Sequence, residues 1–546
     1  MLKRYSPDHH FEPPIDHNNV VAQVAIFLGI VCHVVMGMSR MASTLVLGLV
    51  SLVLRLGLSR VGSSDALQRR ILDEIPLTID TALKRFDLDG KICTYAVCTQ
   101  CHCTHKPTFK HGSCKPIYPE SCGNVPIPGE GKCGAVLIAG QDSSVPLKTF
   151  AYHSFHDWLA GLLSHAEFEE AMDGSRKDFM ASLQSAPEFS TSVFDSEFLR
   201  TFNGPHPGKL FMDGGDEARY VFTLNVDFFN IEGMSVRGAK TSCGIISMAC
   251  LNLPAGVRHK PQNLYLAGIV PGPKEPNVTQ LNHYLRPLVD DLLISWERGV
   301  RFSRTALHRN GRKTRCAVAA SVNDLPGARK LAALAGVTSR HDCTICRGKH
   351  KDKTCLGRHD YHDWERRDVA EMRKQAEAWK NASTSDEQNK IFEDHGTRWS
   401  EMWRLPYWDP THQLVIDAMH CILEGLVQFH FRHALKLSTV DAKAKQVIPA
   451  FEYSFRMPME EQKAAMTRKE LTQVKNIHIA LTQNVEGETT EDLETNLSNL
   501  MKTLFNKNRP ALDFVAADLG IFFAKAHPSK MDLAKALTKW VSHSCR

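Results

Sequence analysis

The chain has 546 residues, which at about 150 residues per domain implies roughly three or four structural units and excludes a peptide hormone or a single small module. Hydrophobic residues make up 43% and charged residues 23%, so the chain can bury sizeable cores and is not disordered as a whole. Lys plus Arg number 66 against 60 Asp plus Glu, a net charge of +6 that is too small for a dedicated polyanion binder, so any nucleic-acid surface must be a local patch.

The most apolar stretches come first, at Val20 to Met38 and Thr44 to Leu54. The first is just long enough to span a bilayer but carries Gln23 and His33. Mostly polar residues, including Asp8, Glu12 and Asp16, precede it, whereas a secretory signal wants a short basic start. The pair reads as two buried helices of an N-terminal helical region, residues 1–90, with membrane association through residues 20–56 as the alternative. Ser63 to Phe86 continues the region with apolar and charged residues at helical spacing.

Sixteen cysteines follow an uneven distribution: Cys93, Cys98, Cys101, Cys103, Cys114, Cys122 and Cys133 fall within 41 residues. The segment 91–140 that holds them is rich in Pro, Gly, Lys and His and has no hydrophobic run, so something other than a core must hold it. A CxxC pair favours zinc over a disulfide framework. Cys98, Cys101, Cys122 and Cys133 supply four thiolates for a tetrahedral structural Zn²⁺ in a zinc-ribbon-like segment. The second pair is spaced by ten residues, not two, and Cys103, Cys114, His102, His105 and His111 are spare donors, so the ligand set is not unique.

Residues 141–205 read as a helical connector, with helical periodicity from Phe155 to Leu183, and the Gly204-Pro205-His206-Pro207-Gly208 break marks a boundary. Beyond it Tyr220 to Phe229, Cys243 to Leu253 and Asn263 to Val270 read as three strands. Asn282 to Gly299 is a helix with one apolar face, Cys316 to Val322 a fourth strand, and Pro326 opens a short helix that Gly336 stops. After this βββαβα order come a charged insertion, a Trp/Pro-rich stretch whose Trp399, Trp403 and Trp408 read as core, and an apolar helix from Gln413 to Leu435. Residues 206–435 thus form one core region. Residues 436–546 read mainly as helices, with a polar linker near Asn484 to Glu494.

Asp227 lies within the first of these strands and Asp324 at the end of the fourth. In an RNase H-like arrangement of this order those strands are neighbours, which would bring together two carboxylates 97 positions apart. Like charges so close repel unless a divalent cation lies between them, and hard oxygen ligands select Mg²⁺ or Mn²⁺. That is the arrangement of two-metal phosphoryl chemistry. In the plainer alternative, Asp227 is an ordinary strand residue and Asp324 caps the following helix. Asp409, Asp417 and Glu424 are candidates for a third carboxylate, with His420 and Glu424 on one face at i, i+4. Cys343-x₂-Cys346 is a second metal candidate, with His341, Cys355, His359, His362 and His420 as completions; a pair of reduced thiols in a loop is its alternative. Arg298, Arg301, Arg304, Arg309, Arg312, Lys313 and Arg315 form a run with no acid, the composition of a DNA-backbone contact.

Several of these segments together resemble the transposase of CACTA (En/Spm) DNA transposons, most closely the fungal type. They are NVDFFN (Asn225 to Asn230), NLYLAGIVPGPKEP (Asn263 to Pro276), NHYLRPLVDDLL (Asn282 to Leu293), SVNDLPGARKLAALAG followed by CTIC, HGTRWSEMWRLPYWD (His395 to Asp409) and VIDAMHCILEGL (Val415 to Leu426). The resemblance covers Tyr95 to Leu435. It implies an RNase H-like DDE/D core, Mg²⁺ as cofactor, transposon-end and target DNA as partners, self-association, nuclear location and cut-and-paste strand transfer. Asp227 matches the first acid and Asp324 the second, and Glu424 is taken as the third. Related chains continue past Arg546, which would make this copy truncated and inactive. The alternative function is a decayed or domesticated relative that binds DNA without cleaving it. No small-molecule substrate is expected.

Overall fold

A computed structural model of the full chain describes residues 3–60, 65–86, 90–140, 142–185, 189–230, 242–348, 364–434, 466–482, 490–519, 521, 523 and 528–544. Two compact units emerge, residues 1–426 and 427–546.

The first unit begins with a short strand, β1 (Lys3–Tyr5), and a helical turn, α1 (Asp8–Phe11). The apolar runs become α2 (Val20–Ile30), extended by π-helical turns to Val35, and α3 (Arg40–Arg60), followed by α4 (Asp65–Asp73) and α5 (Ile79–Phe86). The expectation of two buried helices holds for one face of α2, where Ala22, Ala25, Ile26 and Ile30 are covered, but not for α3. Only 11% of the Arg40–Leu58 stretch is buried, and it is long and apolar enough to cross a membrane. The short neighbouring helices cover Ser43 and Leu47 and leave Met41, Leu45, Leu49, Leu52, Val53 and Leu56 exposed.

Residues 91–205 contribute β2 (Ile92–Val97), β3 (Thr104–His105), a separate small ribbon of β4 (Thr108–Phe109) and β5 (Pro116–Ile117), then β6 (Thr149–His153), α6 (Phe155–Leu162), α7 (Ala166–Ser182) and α8 (Glu197–Thr201). The next stretch has the expected order, β7 (Ala218–Asn230), β8 (Ser242–Cys250), the turn α9 (Ala255–Arg258), β9 (Tyr265–Val270) and α10 (Val278–Glu297). It continues with β10 (Val300–Phe302), β11 (Arg312–Asn323), α11 (Leu325–Ala332), α12 (Val369–Asn381), α13 (Ser385–His395) and α14 (Pro410–Gln413). The helix expected from Gln413 to Leu435 is interrupted at its start. Leu414–Ile416 forms β12, and a π-helical segment, Met419–Val427, follows. Likewise α11 stops three residues short of Gly336, because Ala333 already takes the left-handed conformation at φ 57°.

All strands except β4 and β5 join one ten-stranded mixed sheet, ordered β1-β10-β11-β7-β8-β9-β6-β2-β3, with β12 also on β11. Within it β9, β8 and β7 are consecutive antiparallel neighbours, whereas β7, β11 and β12 run parallel. Parallel neighbours need a crossover, which α10 supplies between β9 and β11. Its apolar face buries Leu281, Tyr284, Leu285, Leu288, Val289 and Leu292, an arc set by the i, i+3, i+4 spacing. Trp403 and Trp408 are each 1% exposed in the same core, as expected for packing residues and not for a base-stacking platform.

The second unit contains α15 (Arg468–Thr482), α16 (Thr490–Phe505), α17 (Arg509–Asp518) and α18 (Lys530–Ser544) around a core that includes Ile477, Leu504, Leu512, Val515 and Leu537. The polar linker expected near Asn484 overlaps the start of α16, and the rest of it lies outside the described residues.

Leu288 is 1% exposed under the sheet, so Leu288→Ala is expected to lower stability by about 2–5 kcal/mol, read as an earlier urea midpoint by tryptophan fluorescence.

Candidate functional site

The parallel pairing of β7 with β11 aligns Ser321 with Leu224, an offset that places Asp324 level with Asp227 just beyond the paired residues. Three side-chain bonds hold this register. Val226 N donates to Asn323 Oδ1 at 2.7 Å, Asn225 Nδ2 donates to Val322 O at 2.8 Å, and Ser321 Oγ donates to Leu224 O at 3.2 Å. On the other edge of β11, β12 pairs Asn323 with Ile416, and Asp417 N donates to Asn323 O at 3.0 Å. Asp227, Asp324 and Asp417 therefore stand level on three adjacent parallel strands, Asp324 and Asp417 just past the ends of β11 and β12 and Asp227 three residues before the end of β7, which stays paired with β8 to Asn230.

Asp227 is exposed there, so it escapes the cost of a carboxylate inside an apolar strand. Asp324 is the N-cap of α11, its Oδ1 accepting from Gly327 N at 2.6 Å. The plainer reading of Asp324 as a cap is thus realised, and a cap engages one oxygen of the two. A Cβ at Gly327 would lie 2.5 Å from Asp324 Oδ1 and 3.3 Å from Val226 O, so a side chain there would push the capping carboxylate aside.

Asp417 is committed to His420, accepting from its backbone N–H at 2.9 Å and meeting its Nδ1 at 2.8 Å. This hydrogen bond raises the His420 pKa above the ordinary imidazole value, with the charges of Asp417, Asp324 and Glu424 acting in the same direction. His420, on the helical segment after β12, thus lies within electrostatic reach of both Asp324 and Glu424. Asp409 lies outside this group; it caps α14 and bonds Thr411 and His412. Lys330, which sequence reasoning passed over, sits 4.2 Å from the ring of Phe228, the residue after Asp227, and pairs with Glu275. Its only sequence signal is its position on the helix that Asp324 caps.

The basic run is opposed in space by acids distant in sequence. Arg312 pairs with Asp173 and Glu169, Lys313 and Arg315 pair with Glu217, and Arg304 pairs with Glu12. Arg315 is 3% exposed and holds up the strand, not a surface. Arg298 and Arg309 are exposed and Arg301 half-buried, and none of the three has an ion pair among the described residues. The run also ends, at Arg315, near the opposite end of β11 from Asp324, roughly 30 Å away over nine residues at about 3.3 Å each. The expectation of seven unopposed charges beside the carboxylates is corrected accordingly: local sequence carried no acid, but the fold imports four.

The cysteine segment assembles around the four residues expected. Cys98, Cys101, Cys122 and Cys133 bring their sulfurs within 4.8 Å of one another. Cys98 Sγ is 3.7 Å from Cys133 Sγ, and Cys101 Sγ is 3.5 Å from Cys122 Sγ. Both separations are far longer than a disulfide bond of about 2.05 Å. They approach the edge of about 3.8 Å that four thiolates at about 2.3 Å from a tetrahedral ion would have. Backbone geometry repeats in the two halves, because the residues after Cys101 and Cys133 are both left-handed, His102 at φ 58° and Gly134 at φ 68°. Burial works to raise the Cys98 thiol, but N–H donors from Cys101 and Gln100 outweigh it and hold the thiol below its usual value. Burial raises Cys122 strongly, and the neighbouring Cys101 and Cys98 add to it. Crowded thiols of this kind ionise together only around a cation, and this cluster can hold a metal such as zinc. Cys103 and His105 form an overlapping set through Cys122. His102 Nδ1 bonds Tyr284 Oη at 2.9 Å and Thr104 Oγ1 donates to His283 O at 3.0 Å, so the cluster is anchored on α10.

Cys343 Sγ accepts from the backbone N–H groups of Ile345 at 3.4 Å and Cys346 at 3.2 Å, the turn that Cys98 also makes. Among the described residues no third His, Cys or carboxylate joins this pair; Cys355, His359 and His362 lie outside them.

Residues 195–386 match the family described as Transposase family tnp2. The match runs from just before α8 to the start of α13 and includes Asp227, Asp324 and the Cys343/Cys346 pair, and it supports a transposase family, which implies DNA binding. No curated protein matches the chain.

Two outcomes test these sites. Cys98→Ser is expected to cost the purified chain one equivalent of zinc, measured by elemental analysis, and to expose residues 91–140 to proteolysis. Because the folded His420 pKa is raised, its pairing with Asp417 stabilises the fold below the usual imidazole range and fades as pH rises through the raised value. NMR titration should place the His420 midpoint above 6.5, and Asp417→Asn should bring it down; an unchanged midpoint contradicts the pairing.

Proposed function

We propose that this protein is a DNA transposase of the CACTA type, in which Asp227, Asp324 and Glu424 on an RNase H-like core bind Mg²⁺ or Mn²⁺ and cut and rejoin DNA strands. The observation that carries the reading is the register of β7 on β11, which levels Asp227 with Asp324 although 97 positions separate the two strands' paired residues. The sheet order β9-β8-β7-β11-β12, in which β8 runs opposite to the other four strands, supports the RNase H-like assignment. Glu424, on the helical segment that follows the fifth strand, supports the third acid.

The carboxylates suit hard divalent ions: they are oxygen donors at a solvent-facing strand edge, and one Asp324 oxygen is fixed by its cap. Bound there, the ions supply Lewis acidity for in-line displacement at phosphorus. The protein's own groups do the rest. Asn323 and Asn225 hold the two aspartate-bearing strand ends in register. Asp417 keeps His420 cationic to higher pH, so that its ring can donate to a phosphate oxygen. The site acts in the nucleus on transposon ends and target DNA, with Arg298, Arg301 and Arg309 as the surface cations most open to a phosphate backbone. The cysteine cluster holds Zn²⁺ and orders a segment without a hydrophobic core. Self-association accompanies the pairing of two ends.

A nicking assay on DNA carrying the element's ends should show Mg²⁺-dependent cleavage that falls at least about 100-fold in Asp227→Asn, Asp324→Asn and Glu424→Gln, with each variant still folded by circular dichroism. Salt-sensitive DNA binding without cleavage by the unmodified chain would instead establish the non-catalytic relative.

A further inference from the structure

We propose that His9, His10 and Asp157, with His153 beside them, form a transition-metal site that pins the N-terminal segment onto the core. The inference stands apart from the proposed strand-transfer chemistry. Three elements converge here: α1 brings the adjacent histidines, α6 brings Asp157 and β6 brings His153. One His9 nitrogen, one His10 nitrogen and a carboxylate oxygen of Asp157 lie within 4.8 Å of one another.

The separations have the scale of a coordination shell. His9 Nε2 is 2.9 Å and His10 Nε2 3.4 Å from Asp157 Oδ1, and His153 Nε2 is 3.6 Å from Asp157 Oδ2. A tetrahedral ion with nitrogen and oxygen ligands at about 2.0 Å has ligand edges of about 3.3 Å. His10 Nε2 also lies 3.0 Å from the Asp157 carbonyl oxygen. His153 Nε2 is buried and too far from Asp157 Oδ2, at 3.6 Å, for an ordinary hydrogen bond. The two imidazoles of His9 and His10 stand with ring centroids 4.0 Å apart, an arrangement suited to neutral rings.

Asp157 itself is fully buried and oriented from outside the cluster. The hydroxyl of Tyr5 donates to Oδ1, and Lys91 N donates to Oδ2 at 2.6 Å. Such outer partners fix a ligating carboxylate. Imidazole with a single carboxylate selects Zn²⁺ over Mg²⁺. The consequence is mechanical. Strand β1 has three residues and pairs parallel with β10 at the sheet's end, too short to hold by its ladder alone. An ion shared between α1 and Asp157 would fasten it.

The test is zinc content and zinc response of the full chain and a His9→Ala/His10→Ala variant. The unmodified chain is expected to carry one equivalent more zinc than the variant, and Cys98→Ser to lose a different equivalent. Cobalt substitution separates them, because the absorption lost from the histidine variant lacks thiolate-to-metal charge transfer. Adding Zn²⁺ to chelator-treated protein should raise the melting temperature and protect residues 3–11 from hydrogen exchange in the unmodified chain but not in the variant. Equal zinc content together with equal zinc-induced protection in both proteins would overturn the site. Asp157→Asn gives a second variant, expected to lose the same equivalent.

Discussion

The parallel contact between β7 and β11 is the constraint on which the first unit depends. Its register is held by side chains as well as by the ladder: Asn323 is 1% and Ser321 0% exposed, and each spends its polar atoms on the neighbouring strand or on the other. A one-residue slip would expose the buried face of β7, with Tyr220, Phe222 and Leu224, to the wrong side of the sheet. The same register levels the aspartates. Core packing and the proposed chemistry therefore rest on one alignment, and α10 exists in this position because parallel strands cannot be joined by a hairpin.

Where hydrophobic residues are sparse, other forces substitute. The segment after β2 replaces a core with four clustered thiols, and its left-handed His102 serves twice, closing the turn and reaching the Tyr284 hydroxyl on α10. A glycine would relieve the backbone strain at that position but lose the contact. The N-terminal strand repeats the pattern with histidines and a buried carboxylate. In both places polar ligands converge from separate elements onto a body that apolar packing has already built.

Charge is redistributed by the fold more than composition suggests. Glu217 collects Lys313 and Arg315, and its carboxyl is held below the usual range against the opposing effect of burial. Arg312 is bound between Asp173 and Glu169. These cations are structural because leaving either partner unpaired at such depth is costly. The surface cations that remain, Arg298 and Arg309 among them, lie at the far end of β11 from the aspartates, so DNA reaching both would have to run along the sheet.

Much of the architecture was legible in residue patterns. Alternating and β-branched runs predict β7, β8, β9 and β11, the one-sided apolar spacing predicts α10, and the cysteine spacing predicts the four sulfurs that meet, because each of these depends on near neighbours in the chain. Asp227 and Asp324 were nameable for the same reason, as acids at recognisable points of strands. What tertiary structure decided is whatever depends on residues distant in sequence. Leu414–Ile416 is a strand because the edge of β11 offers unpaired backbone groups, although its own sequence reads as helix. Asp417 is level with the other aspartates only through that strand. The arginines of β11 are neutralised by acids up to 143 positions away, and α3 is left bare because its partners are too short to wrap it. Periodicity records which face of an element is apolar; which surface meets that face, and which charge meets which, is set only when the chain closes on itself.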